Sequence, residues 1–145
     1  MASWDEKYFV TELQGEVGGG SWSPTFSDEE AMRLIELDSD VRKGAFYMAS
    51  AWFWPGSWPA TKGETGTVKE HSHEFDEAIA YIGTNPDNPY DLGGEMDFWI
   101  DGKQNTIDRS FIAFIPAGTK HGPITFNRID RPIFHFTSGM GEHYR

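Results

Sequence analysis

Glycine and proline cut this chain into short pieces, and that punctuation limits what it can fold into. Between residues 45 and 137 no apolar run exceeds ten residues before a turn signal stops it. The longest, residues 45–54, is rich in aromatics and ends at Pro55-Gly56. Shorter runs follow at Glu77–Ile82, 96–100, 105–109, Phe111–Ile115, 123–127 and 132–137, and residues 67–70 lead into the first of them. Asp101-Gly102 marks a hairpin turn between two of these runs, Pro116 and Gly118 mark another corner, and residues 84–89 form a loop. No long amphipathic helical pattern interrupts the series. Seven or eight short strands with regular turns predict an all-β sandwich or barrel. Both faces of run 45–54 are apolar, so both are expected to be covered.

The 145 residues are of single-domain size, with no internal repeat and no linker. Aromatics make up 15% of the chain, which supplies the burial that ordering a backbone requires and argues against disorder. The first 44 residues differ from the rest. They are polar and Gly-rich, with Gly18-Gly19-Gly20, and read as an arm preceding a barrel domain at 45–145. A short strand is expected near residues 8–13. Ser27 with Glu30 three residues later has the form of a helix N-cap, whereas residues 32–37 read equally well as a strand.

Twelve Lys and Arg face 23 Asp and Glu, a net charge of -11. That field repels polyanions, so nucleic acid and anionic membrane surfaces are not expected partners. No apolar run is long enough to span a bilayer as a helix, and residues 1–10 do not resemble a signal peptide. The absence of Cys excludes disulfides, thiolate metal sites and Cys nucleophiles. A cytoplasmic protein is the expectation.

Chemistry concentrates in two places. His71 and His73 are two apart, so on an extended chain both imidazoles face one way, and Glu77 has the same parity. Two imidazoles and a carboxylate suit Fe, Mn, Ni, Zn or Cu. Taken alone, the pair also fits two surface histidines in a charged loop. The second place is Pro116-Ala117-Gly118-Thr119-Lys120-His121, where a sharp corner delivers His121 to the start of the next strand. Alone, it also fits an ordinary corner with an incidental His. The oxygen-rich stretch holding Asp87, Asn88 and Asp91 lacks the ligand alternation and closing Glu of an EF-hand and reads as a rigid loop.

Together the two segments resemble the cupin superfamily over about residues 66–126. The first family motif, G-x5-H-x-H-x3,4-E-x6-G, is matched by Gly66, His71, His73, Glu77 and Gly83, with both glycines one residue closer than the pattern. The second, G-x5-P-x-G-x2-H-x3-N, is matched by Pro116, Gly118 and His121, with Ser110 and Thr125 in place of the leading Gly and the Asn. The resemblance implies a jelly-roll β-barrel with one divalent metal ion held by His71, His73, Glu77 and His121. It also implies a dual role for Glu77, as ligand and as proton acceptor.

Family members with this ligand set include dioxygenases, decarboxylases, isomerases and lyases, and fold does not choose among them. The aromatic content points to an apolar pocket for a small aromatic or alicyclic substrate, and so toward a dioxygenase-type oxidoreductase. A non-catalytic ligand-binding protein with a structural metal is the alternative. His135, between two phenylalanines, is a candidate substrate-binding or base residue, and Tyr47 and Phe53 are candidates to line the pocket. The sequence does not say which parity of Tyr47, Trp52 and Phe53, or of Phe98 and Trp99, faces inward, and His143 reads as a solvated tail residue. Trp4, Tyr8, Phe9, Trp22 and Phe26 in the arm need a surface to cover. A homodimer with an exchanged N-terminal strand is the expectation, and an arm wrapped on its own barrel the alternative.

Overall fold

The computed structural model describes residues 1–14, 29–56 and 70–141. Ser27, Trp22 and Phe26 of the arm, Gly66 and the rest of loop 57–66, residues 67–69 and His143 lie outside the described residues. Eight strands are present among them: Ala31–Leu37 (β1), Tyr47–Phe53 (β2), Glu77–Ile82 (β3), Asp91–Ile100 (β4), Lys103–Arg109 (β5), Phe111–Ile115 (β6), His121–Ile129 (β7) and Ile133–Gly139 (β8). They form two antiparallel sheets, β1-β2-β8-β3-β6 and β5-β4-β7, a jelly roll closed around one core. No helix is long and apolar enough to cross a membrane.

Period-2 alternation decides which side chains enter the barrel. On β2, Tyr47, Ala49, Ala51 and Phe53 are buried, and Met48, Ser50 and Trp52 face outward. Phe98 is buried and its neighbour Trp99 is not. The sheets meet through an aromatic layer. Phe53 and Tyr81 of the larger sheet lie 4.7 Å and 5.8 Å from Phe126 of the smaller one, centroid to centroid. Such ring pairs add about 0.5–1.5 kcal/mol each beyond the area they bury. The β4–β5 hairpin turns at Asp101-Gly102, both at positive φ, as its right-handed twist favours.

The structure corrects several boundaries. Residues 8–13 form no strand. The Asp5 carboxylate accepts the Lys7 N–H at 2.9 Å, and its carbonyl accepts those of Tyr8 and Phe9 at 3.1 and 3.2 Å, so local turn bonding prevails. The Arg42 guanidinium donates to the carbonyls of Glu6, Lys7 and Phe9 and holds this turn beside the β1–β2 connection. Residues 31–37 are a strand, not a helix, because the edge of β2 offers them a ladder. Their register breaks between Arg33 and Glu36, and Ser50 Oγ bridges the bulge by donating to the Ile35 carbonyl at 2.8 Å and accepting its N–H at 3.2 Å. The bulged strand turns Arg33 and Glu36 inward as an ion pair at 3.0 Å. Burial pushes the Glu36 carboxyl above its ordinary value even against Arg33. Finally, β4 begins at Asp91, through Gly93-Gly94, where the sequence reads as loop. At Gly94 the chain runs so close to β7 that a Cβ would stand 2.5 Å from the Arg128 carbonyl oxygen.

Candidate metal centre

One end of the barrel collects side chains from both sheets. Glu77 opens β3 and His121 opens β7, one on each sheet. His71 and His73 precede β3, and His71 is fastened to His121 by a reciprocal pair of backbone bonds, both 2.9 Å. The corner at Gly118 is tied to the same segment, since its N–H donates to the His73 carbonyl at 2.8 Å and the Ala117 N–H donates to Asp76 at 2.8 Å. These bonds bring residues about forty positions apart in sequence to one point.

The donor atoms of His71, His73, Glu77 and His121 all lie within 4.8 Å of one another. Glu77 Oε1 is 3.0 Å from His121 Nε2 and 3.5 Å from His73 Nε2. His73, Glu77 and His121 are buried, and His71 is partly exposed. Glu77 Oε1 and His121 Nε2 are cut off from solvent, and no protein group outside the cluster satisfies either atom. Burying polar atoms with so few partners is costly. Donors about 2.1 Å from one ion stand roughly 3.0 Å apart when adjacent and about 4.2 Å apart when opposed. The cluster's outer limit of 4.8 Å is wider than that by roughly half an ångström, so the side chains close slightly to hold a divalent cation, and their imidazole–carboxylate set accepts Fe, Mn, Ni, Zn or Cu.

Neighbours fix the ligands' orientation. His121 Nδ1–H donates to the Thr119 carbonyl at 3.0 Å, which leaves the Nε2 lone pair for the cluster. Burial alone pulls the His121 pKa down, but Glu77 and the Thr119 carbonyl together more than offset it, and the net shift is upward. Thr137 Oγ1 donates to Glu77 Oε2 at 2.9 Å and so turns Oε1 toward the histidines. The Phe75 ring stacks on His73 with centroids 4.9 Å apart. That ring occupies the inward side of Gly139, where a Cβ would lie 2.2 Å from Phe75 Cε2. The sequence reading did not single out Thr137, Thr119, Phe75 or Gly139. Gly83 and Ser110, the displaced and substituted motif positions, bond to each other, the Gly83 N–H donating to Ser110 Oγ at 2.9 Å.

The three candidate pocket residues face the barrel interior. Tyr47 shares a row of the sheet with Gly139 and Glu77. His135 lies deeper, two residues before Thr137, against Tyr81 at 4.3 Å and Phe53 at 6.0 Å between centroids. Its Nδ1–H donates to the Ala80 carbonyl at 2.9 Å. Part of the ring surface is accessible, but the ring lies among interior side chains, and burial pushes its pKa down to about 4 against the smaller opposing effects of Ala80 and Glu77. His135 is therefore a neutral imidazole at pH 7, and it is not brought into the metal-ligand cluster.

No protein-family description matches the chain, and no curated protein matches it. Solved structures are similar to it. An oxalate oxidase is 19% identical, with 96% of this chain aligned to 62% of that one at a TM-score of 0.54. An oxalate oxidase in complex with glycolate is 18% identical, with 97% and 63% covered and the same TM-score. A predicted oxalate decarboxylase from Thermotoga maritima is 18% identical, with 91% and 98% covered at a TM-score of 0.50. The chain thus spans about three fifths of the oxalate oxidases and nearly all of the Thermotoga protein. At these identities the likeness is one of fold.

Proposed function

Starting from a chain that has the cupin-superfamily fold and its metal-binding cluster, we propose a metal-dependent enzyme acting on a small organic substrate, with dioxygenase-type oxidation the favoured chemistry. One observation carries the reading: buried Glu77 Oε1 and His121 Nε2, 3.0 Å apart and cut off from solvent, converge with two further histidines on one point. A bound divalent ion supplies Lewis acidity there, or oxygen activation if it is iron. Glu77 is the one formally negative ligand, and it sits where it can also accept a substrate proton. His135 offers a neutral Nε2 lone pair to a substrate hydroxyl, since its Nδ1 proton is committed to Ala80. Phe53 and Tyr47, buried on the interior side of β2, are the residues proposed to wall the substrate's pocket, and their aromatic surface favours an aromatic or alicyclic substrate over a free sugar. The work is done in the cytoplasm.

The test begins with elemental analysis of protein purified without added metal. Close to one divalent ion per chain is expected, and His73→Ala should lose most of it while staying folded. Unchanged metal content in that variant overturns the proposal. Oxygen consumption on a panel of small phenols and catechols then tests turnover. Glu77→Gln should cost about 10²–10⁴ in rate, more than it costs in occupancy. Full turnover at full occupancy would leave Glu77 a spectator ligand.

A further inference from the structure

The two sheets present opposite kinds of surface to the outside. On the three-stranded sheet most outward positions, Trp99 and Pro123 apart, are polar: Asp97 accepts from Thr106 at 2.7 Å, and Glu95 accepts from Asn127 at 2.9 Å and faces Arg128. This is the pattern of a sheet with one side in water. The five-stranded sheet differs. Register places Met32 and Leu37 of β1, Met48, Ser50 and Trp52 of β2, and Phe134, Phe136 and Ser138 of β8 on its outer side. Ala78 and Ile82 of β3 and Ile112 and Phe114 of β6 continue it to the far edge, and Ala80 between them is shielded by its larger neighbours. None of these side chains is charged, in a chain with a net charge of -11. A sheet apolar on both sides is a sheet covered on both sides.

We infer that this outer face is a homodimer interface, two copies packing five-stranded sheet against five-stranded sheet about a two-fold axis. Area supports it. Ile112 is 64% exposed, Phe114 66%, Met32 48% and Met48 37%. A fully exposed aromatic side chain presents about 150–250 Å² and an aliphatic one somewhat less, so these four leave roughly 300–400 Å² to be covered. The partly exposed Trp52, Trp54, Phe134, Phe136 and Ile82 bring the patch toward the roughly 800 Å² per partner of a standard interface. Preorganisation supports it as well. Trp52 stacks on Trp54 at 5.6 Å and packs against Phe134 at 5.1 Å, so these rings are held in place before a partner arrives. Charge selects the face. Two strongly anionic copies repel on average, and an uncharged sheet is where they approach at least cost. Isologous pairing also needs a surface that complements itself, and an apolar sheet without charges meets that condition. Residues 5–9 of the arm are fastened at the β1–β2 connection by Arg42, and no strand forms at residues 8–13 to be exchanged. Among the described residues, then, the sheet face and not residues 8–13 offers the dimer its surface.

Sedimentation equilibrium at about 10–100 μM, with metal bound, decides the matter. The wild-type chain should run at twice 16.4 kDa. Ile112→Glu and, separately, Met48→Lys place a charge on the face at outward positions and should each weaken association at least 100-fold, with metal content and far-UV signal unchanged. Gln104→Glu, on the other sheet, should leave the dimer intact. A wild-type chain running at 16.4 kDa overturns the inference, whether the face is then covered by the chain's own residues or by another protein. So does a dimer that persists in both Ile112→Glu and Met48→Lys.

Discussion

His135 should make the fold acid-sensitive in a window that can be worked out. Its ordinary value is 6.5, and burial lowers it to about 4 in the folded protein. The groups facing it are the Ala80 carbonyl and Tyr81 on β3, Phe53 on β2, and Glu77 further along β3, whose charge opposes the shift without cancelling it. Above pH 6.5 the imidazole is neutral in both states and contributes nothing to pH dependence. Between pH 6.5 and about 4 the unfolded chain binds the proton and the native one resists it, so stability falls as pH falls. Below about 4 both states hold the proton and the loss is complete. At about 1.36 kcal/mol per unit, the whole shift is worth at most about 3 kcal/mol, of which about 2 kcal/mol falls between pH 7.5 and 5.0. The assay is urea unfolding in the presence of chelator at those two pH values, on wild type and on His135→Gln, which keeps a donor for Ala80. Every other group is the same in both proteins, so the difference between the two isolates His135. Wild type should lose about 2 kcal/mol more than the variant. Equal losses would refute the argument that burial holds this imidazole neutral.

Two other substitutions probe the supports of the site and the wall. Gly139→Ala should push the Phe75 ring off His73 and weaken metal binding about 10–100-fold, as read by titration against a competing chelator; unchanged affinity would show that the stacking does not orient His73. Arg33→Ala strands Glu36 in the barrel wall and should cost about 3–5 kcal/mol in urea unfolding at pH 7, whereas a loss under about 1 kcal/mol would mean that solvent reaches the carboxylate.

What the sequence made legible follows physical range. His71, His73, Glu77 and His121 stand out because strand parity and a Pro-Gly corner are local, and the structure brings all four together. The turn at Asp101-Gly102 is local too. Strand β1 is ambiguous from sequence because its bulge spoils the period-2 pattern, and only the ladder with β2 resolves it. The start of β4 is hidden because glycines normally signal loops, and the cause of Gly94, close passage along β7, is a contact across the sheet. Thr137, Phe75 and Gly139 carry no signal of their own. Their roles come from the register of β8 beside β3, which no local pattern specifies. The inward parity of Tyr47 and Phe53 likewise waits on knowing which sheet faces which.

The placement of Glu77 on one sheet and His121 on the other has a mechanical consequence. An ion held by both would clasp one sheet to the other, closing a loop of more than forty residues in the unfolded chain. Because the unfolded chain holds no preformed site, metal affinity becomes folding free energy, about 2.7 kcal/mol when the free ion is at a hundred times its dissociation constant. On the proposed function, metal supply would then govern how long the protein survives as well as whether it works. A cell short of the ion would hold less of the protein itself, since the unclasped form opens more often to proteases.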